Sequence, residues 1–286
     1  MQFWIIQTLN SLALGGLLFL LAAGFSLIFG LMRIANLTHG SLYMLGAYLG
    51  VSVLDVVPNL WLAALLAALG VALFGGLLER LLLRPLAGNT LGQVLVTLGI
   101  SFIVADLSLI IWGGDPIPLA APASLQRPLI VGGIAFPAYR LAVLGIAVVT
   151  AIGLHLLMER TRIGAMIRAG VDDMPMARAV GIPASRLFTT VFCLGSALAG
   201  AGGVFGGPIM SAYPGLDADM LPLALIVVIL GGVGSLLGAF VGSFIIAAIY
   251  TFGSALFPDL AYVILFLPMI VVIAFRPRGL FGRTGA

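Results

Sequence analysis

Apolar runs of about twenty residues, separated by short polar interruptions, recur from one end of this chain to the other. A helix needs about 20 apolar residues to cross about 30 Å of hydrocarbon, and the runs lack the ten-residue alternation of a membrane β-barrel. The pattern predicts an all-α fold: a polytopic transmembrane helix bundle of eight or nine spans with broken or half-helices, forming one transmembrane domain over residues 1–286. The spans are expected at 5–32, 41–57, 60–78, 91–112, 139–158, 187–207, 235–256 and 260–275. A ninth apolar segment, 220–230, is too short to cross unaided and runs into Gly231-Gly232-Val233-Gly234, so it reads as a half-helix or as part of a bent one. The start, MQFWIIQTLN, lacks the basic lead of a signal peptide and is taken as the beginning of the first span.

The longest charged interval is 159–186, with Arg160, Arg162, Arg168, Arg178 and Arg186 set against Glu159, Asp172 and Asp173. Within it Asp172 or Asp173 can cap a helix, Pro175 fits a first turn, and Gly181 followed by Pro183 stops the helix about two turns later. So short a helix is marginal alone in water. Its small and apolar residues, Met174, Met176, Ala177, Val180 and Ile182, predict docking against another surface, taken here to be a soluble partner protein.

Charge placement orients the bundle. With 159–186 on the cytoplasmic side, alternation puts Arg33, Arg80, Arg84, Arg276, Arg278 and Arg283 on that side too and leaves only Arg127 and Arg140 outside. Asp55, Asp115, Asp217, Asp219 and Asp259 fall on the outer side, as the positive-inside rule requires. With 220–230 counted as a crossing, the N-terminus is outside and the C-terminus cytoplasmic. A proline-rich outer connection, 113–137, reads as a stiff surface loop.

Composition excludes several classes. The chain is 62% hydrophobic and 8% charged, which a water-soluble fold cannot accommodate. All 13 basic residues are arginine; without a lysine there is no Walker A loop, so the chain is not itself a P-loop ATPase. The arginines sit in loops rather than on one basic face, which argues against nucleic acid. Cys193 is the only cysteine and permits no intrachain disulfide. No Ser-His-Asp order and no His/Cys/Glu metal spacing appears, so neither an enzyme nor a cofactor is expected.

Two glycine stripes, Gly195/Ala199/Gly203/Gly207 and Gly234/Gly238/Gly242, predict close helix packing. A faint internal echo links Gly40-Ser41 through Gly50 with Gly234-Ser235 through Gly242, as in the related halves of a transporter, each copy following a cytoplasmic interruption. The candidate solute pathway is the polar run Asn36-Leu37-Thr38-His39-Gly40-Ser41 with Tyr43, where a broken helix frees backbone groups to line a cavity; an inner loop with its capping residues explains the run equally well. Asp106 is the single acid well inside a span and faces the interior, water or its neighbour Ser108. His155 and Glu159 have the spacing of a local helical pair.

The run from Ile34 to Gly40 with Tyr43, Met44 and Gly46, the segment Glu79-Arg80 to Arg84-Pro85, the loop Gly164 to Ile182, Leu230 to Ser235, and the tail Arg276 to Gly282 together resemble the inner-membrane permease subunit of branched-chain amino acid ABC importers, the LivH type. The resemblance implies an assembly in lipid with a second, LivM-like permease, two cytoplasmic ATP-binding subunits and a periplasmic substrate-binding protein. By the same resemblance 159–186 is the ATPase-coupling region, with Arg168, Asp172, Asp173, Ala177, Gly181 and Ile182 as its candidate residues. Related permeases carry other amino acids, urea or short amides; an ion-coupled secondary transporter using Asp106 is the competing class.

Overall fold

The computed structural model describes residues 2–33, 36–131, 134–276 and 278–282; Ile34, Ala35, Pro277 and Arg283, used above, lie outside the described residues. Eleven helices occur among the described residues: α1 Gln2–Met32, α2 His39–Val56, α3 Leu60–Leu78, α4 Thr90–Trp112, α5 Ala138–Arg160, α6 Arg162–Asp172, α7 Met174–Ala179, α8 Ala184–Met210, α9 Leu216–Gly231, α10 Leu236–Leu256 and α11 Ala261–Phe275. Six of them, α1, α3, α4, α5, α8 and α10, are long and apolar enough to cross a membrane. The others are shorter or more polar. The segment expected at 220–230 is the later part of α9, which begins four residues earlier, directly after the turn Tyr213-Pro214-Gly215.

α1 is the axis of the bundle. In its most apolar stretch 83% of residues are buried, against 17% in α4 and 22% in α5, so those two helices form the periphery. Around α1 pack α8, α10, α5 and α9, while α2 lies between α3, α8 and α9. Lipid supplies no hydrophobic drive between helices, so association rests on close backbone approach at small residues. Both glycine stripes make such approaches: a Cβ at Gly195 would lie 2.7 Å from the Gly24 carbonyl oxygen, one at Gly203 2.0 Å from the Tyr43 carbonyl oxygen, and one at Gly238 2.1 Å from the Gly231 carbonyl oxygen.

The proline-rich connection holds a β-hairpin, β1 Pro128–Val131 paired antiparallel with β2 Ile134–Pro137, so it is more ordered than a bare surface loop. Pro128 and Pro137 face each other at its open end, where a missing N–H does least harm to the ladder. This hairpin marks one end of the bundle; α6 and α7 mark the other.

At the α7 end, α3 continues into a π-helical turn, Glu79–Leu83, whose Glu79 carbonyl accepts from the Arg84 N–H at 2.8 Å. Pro85, with no N–H to donate, follows at once. The wider turn sets the two side chains together: Arg84 Nε and Nη2 donate to the two Glu79 carboxylate oxygens at 3.2 and 2.9 Å, and Thr189 Oγ1 of α8 lies 2.7 Å from the same carboxylate. Glu79 is buried, whereas the Arg84 side chain keeps 35% exposure. Arg84→Leu therefore strands a buried carboxylate and should cost about 3 kcal/mol. Thermal unfolding in detergent checks it: the single variant should unfold well below wild type, and Glu79→Gln added to it should restore part of the loss. Equal unfolding of single and double variants would contradict the assignment.

Candidate functional site

The polar run between α1 and α2 does not form a loop at the end of the bundle. His39, the first residue of α2, places Nε2 3.0 Å from the Leu21 carbonyl oxygen of α1. Leu21 precedes Met32, the end of α1, by about 16 Å of helix. The chain thus turns back inside the bundle, and α2 starts near its middle depth. The other copy of the internal echo differs: Gly234 packs against Gly30, close to the end of α1, so α10 starts near the α7 end.

The break is held by α4 and α9. Thr38 Oγ1 donates to the Thr97 carbonyl at 2.8 Å, the Leu37 N–H reaches Thr97 Oγ1 at 3.3 Å, and Asn36 Oδ1 accepts from the Thr38 N–H at 3.2 Å. Ser41 Oγ donates to Asp217 Oδ2 at 3.0 Å, and a Cβ on Gly40 would lie 2.5 Å from the Asp217 carbonyl oxygen. Asp217 opens α9, so two helix N-termini meet at mid-depth. Its expected place among the outer acids is corrected by this contact. The acids at positions 217 and 219 of a first turn, after a Pro-Gly turn, are the signal that would have placed the start of α9.

Asn36, Thr38, His39, Ser41 and Tyr43 are all buried. A carbonyl oxygen only accepts, so His39 carries its proton on Nε2 and presents Nδ1 as a bare acceptor. His39 Nδ1, the Asn36 amide nitrogen and the Tyr43 hydroxyl have no hydrogen-bond partner among the described residues. His39 and Tyr43 stand one turn apart on the same face of α2, and a Cβ on Gly206 of α8 would touch the Tyr43 hydroxyl. Buried polar groups are nearly always paired, so three orphans in eight residues single out this stretch of the chain.

Asp106 is not brought into this group. It is exposed on the outward face of α4, flanked by exposed Phe102, Ile103, Leu107 and Ile110. Ser108 is buried with an unpartnered hydroxyl, so the expected Asp106–Ser108 contact is absent. Glu159 pairs with Arg168 at 3.6 Å rather than with His155.

At the α7 end the charged interval folds as two short helices. Thr161 Oγ1 caps α6 by accepting from the Gly164 N–H, and Asp173 Oδ1 caps α7 by accepting from the Met176 N–H at 3.0 Å, with Pro175 in the first turn. Asp172 is exposed beside this cap. α7 closes in a Schellman motif: the Ile182 N–H reaches the Ala177 carbonyl and the Gly181 N–H the Arg178 carbonyl, each at 3.0 Å, with Gly181 at φ +90°. Ala177 is buried and Ile182 half-buried, while Met176 and Val180 are 61% and 71% exposed.

A sequence model of the family described as "Branched-chain amino acid transport system / permease component" matches residues 7–273. The chain belongs to this permease family. Among its relatives, the high-affinity branched-chain amino acid transport system permease protein BraD of Pseudomonas aeruginosa is 30% identical over 97% of this chain and 95% of its own length. The corresponding LivH of Escherichia coli is 25% identical over 98% and 96%, and a probable LivH of Methanocaldococcus jannaschii 27% identical over 80% and 75%. The fold is similar to a chain of PsaBC from Streptococcus pneumoniae, solved in complex with Fab, with a TM-score of 0.51 at 14% identity over 93% of this chain and 89% of that one. The permease is accordingly a multi-pass membrane protein whose relatives are transport components.

Proposed function

We propose that this permease is the membrane subunit of an ABC importer for branched-chain or related amino acids. A second, LivM-like permease, two ATP-binding subunits and a periplasmic substrate-binding protein complete the assembly in the bacterial inner membrane. The observation that carries the reading is α7. Ala177 anchors it to the bundle, and Met176 and Val180 are held out into solvent by a helix capped at both ends. Such a rigid apolar knob at an arginine-rich end is what an ATPase subunit would grip, and closure of the ATPases would push α6 and α7 against α1 and α8, on which they rest. The solute would pass the α1–α2 break, where the N-termini of α2 and α9 favour a carboxylate and Asp217 favours an ammonium group.

The test is uptake of labelled leucine into proteoliposomes that hold this chain with its neighbouring permease, ATPase and binding-protein subunits. Uptake should need both internal ATP and the binding protein. Flux without nucleotide that follows an ion gradient would instead make it a secondary transporter, and binding-protein-stimulated ATP hydrolysis without leucine flux would point to urea, short amides or other amino acids. In the same assay Gly181→Val should lower ATP-dependent uptake about tenfold with insertion unchanged, because a β-branched residue at that positive φ is strained by about 1–3 kcal/mol. Wild-type uptake would remove α7 from the coupling role.

A further inference from the structure

A cleft of about 360 Å³ opens at the α7 end, between the end of α1, the loop after the π-helical turn, and the start of α8. Three arginines line it: Arg33 at the end of α1, Arg84, and Arg178 of α7. Its one carboxylate, Glu79, is already held by Arg84 through Nε and Nη2, which leaves the Arg84 Nη1 hydrogens uncommitted. Arg33 and Arg178 are exposed and hold no ion pair among the described residues. The cleft therefore carries a local excess of two positive charges. Thr90, the first residue of α4, also lines it, and α4 is capped there by Asn89 accepting from the Gly92 N–H at 2.9 Å. A planar guanidinium presents paired donors that match phosphate oxygens, and three arginines lining one small cleft favour that group over a diffuse anion atmosphere.

We infer that this cleft is a phosphate-binding site, filled by the phosphate of an anionic phospholipid headgroup or by free inorganic phosphate. Its place at the end of four apolar helices puts it at the level of lipid headgroups. A bound phosphate would join Arg33, at the lip of the α1–α2 break, to Arg178 on α7, two elements separated along the chain and brought to one cavity by the fold.

The full chain in phosphatidylcholine nanodiscs tests it by thermal unfolding. Increasing phosphatidylglycerol, or inorganic phosphate added to phosphatidylcholine discs, should raise Tm saturably, with chloride at equal ionic strength as the control. A response to phosphatidylglycerol alone identifies the lipid headgroup; a full response to inorganic phosphate identifies the free ion. Arg33→Gln and Arg178→Gln should each raise the half-saturating concentration about fivefold, with Arg127→Gln at the hairpin end leaving it unchanged. If the double variant does not accumulate, each single variant carries the same test. No rise with either source, a rise equalled by chloride, or an unchanged half-saturation in the arginine variants would overturn the proposal.

Discussion

Gly46→Ala is expected to abolish a correctly packed bundle, which is an unusual penalty for one methyl group. A Cβ at position 46 would lie 2.3 Å from the Gly200 carbonyl oxygen and 2.4 Å from its Cα, and both are backbone atoms of α8. No side chain stands there to rotate away, so α2 and α8 must separate. Behind them Gly200 is itself pressed on Val71 of α3, and Gly203 on the Tyr43 carbonyl of α2. Overpacking typically costs about 1–3 kcal/mol where neighbours can adjust. Here three backbones would have to shift together, so the loss should exceed that range. Size-exclusion of the solubilised protein should show aggregate or no monodisperse peak, whereas Gly145→Ala and Gly153→Ala, in open space, should behave as wild type. A Gly46→Ala protein that purifies with wild-type Tm would refute the close packing of α2 on α8.

Asp217→Ala should reduce ATP-dependent uptake by more than tenfold in the reconstituted importer while leaving the amount of inserted protein unchanged. The carboxylate ties the start of α9 to Ser41 at the start of α2, and a hydrogen bond to a charged group contributes about 1.5–3 kcal/mol. Asp217→Asn separates two roles. It keeps an acceptor for Ser41 Oγ but removes the charge. Uptake retained in the asparagine variant would make Asp217 a positioning residue for the two half-helices; uptake lost, with unfolding unchanged, would fit a charge met by the ammonium group of the solute. Wild-type uptake in Asp217→Ala would remove the junction of α2 and α9 from the pathway.

Helix α7 was readable residue by residue because each of its signals is local. Asp173 caps a helix that begins at the next residue with Pro175 in its first turn, and Gly181 supplies the left-handed residue that ends it. The glycine stripes were legible for a related reason: a repeat of four places small residues on one face of a helix whatever the partner is. Asp217 was misplaced because counting span ends assumes that each helix runs from one surface to the other, and α9 does not. The contacts expected between Asp106 and Ser108 and between His155 and Glu159 failed differently. Burial turned Ser108 into the bundle and left Asp106 outside it, whereas Glu159, exposed like His155, pairs with Arg168 instead.

By itself the sequence determined that this chain is a helical membrane protein of the branched-chain amino acid permease family, and where most of its helices start and stop. Those properties follow from hydropathy, caps and motif order, which act over a few residues or simply accumulate along the chain. Only the tertiary structure decided that α2 and α9 begin together at mid-depth, that Asn36, His39 and Tyr43 share a buried setting, and that Arg33, Arg84 and Arg178 line one cleft. Each of these depends on how deep one helix sits against another. That depth is set by backbone packing between distant glycines, such as Gly46 with Gly200 and Gly30 with Gly234, and no local stretch of sequence encodes it.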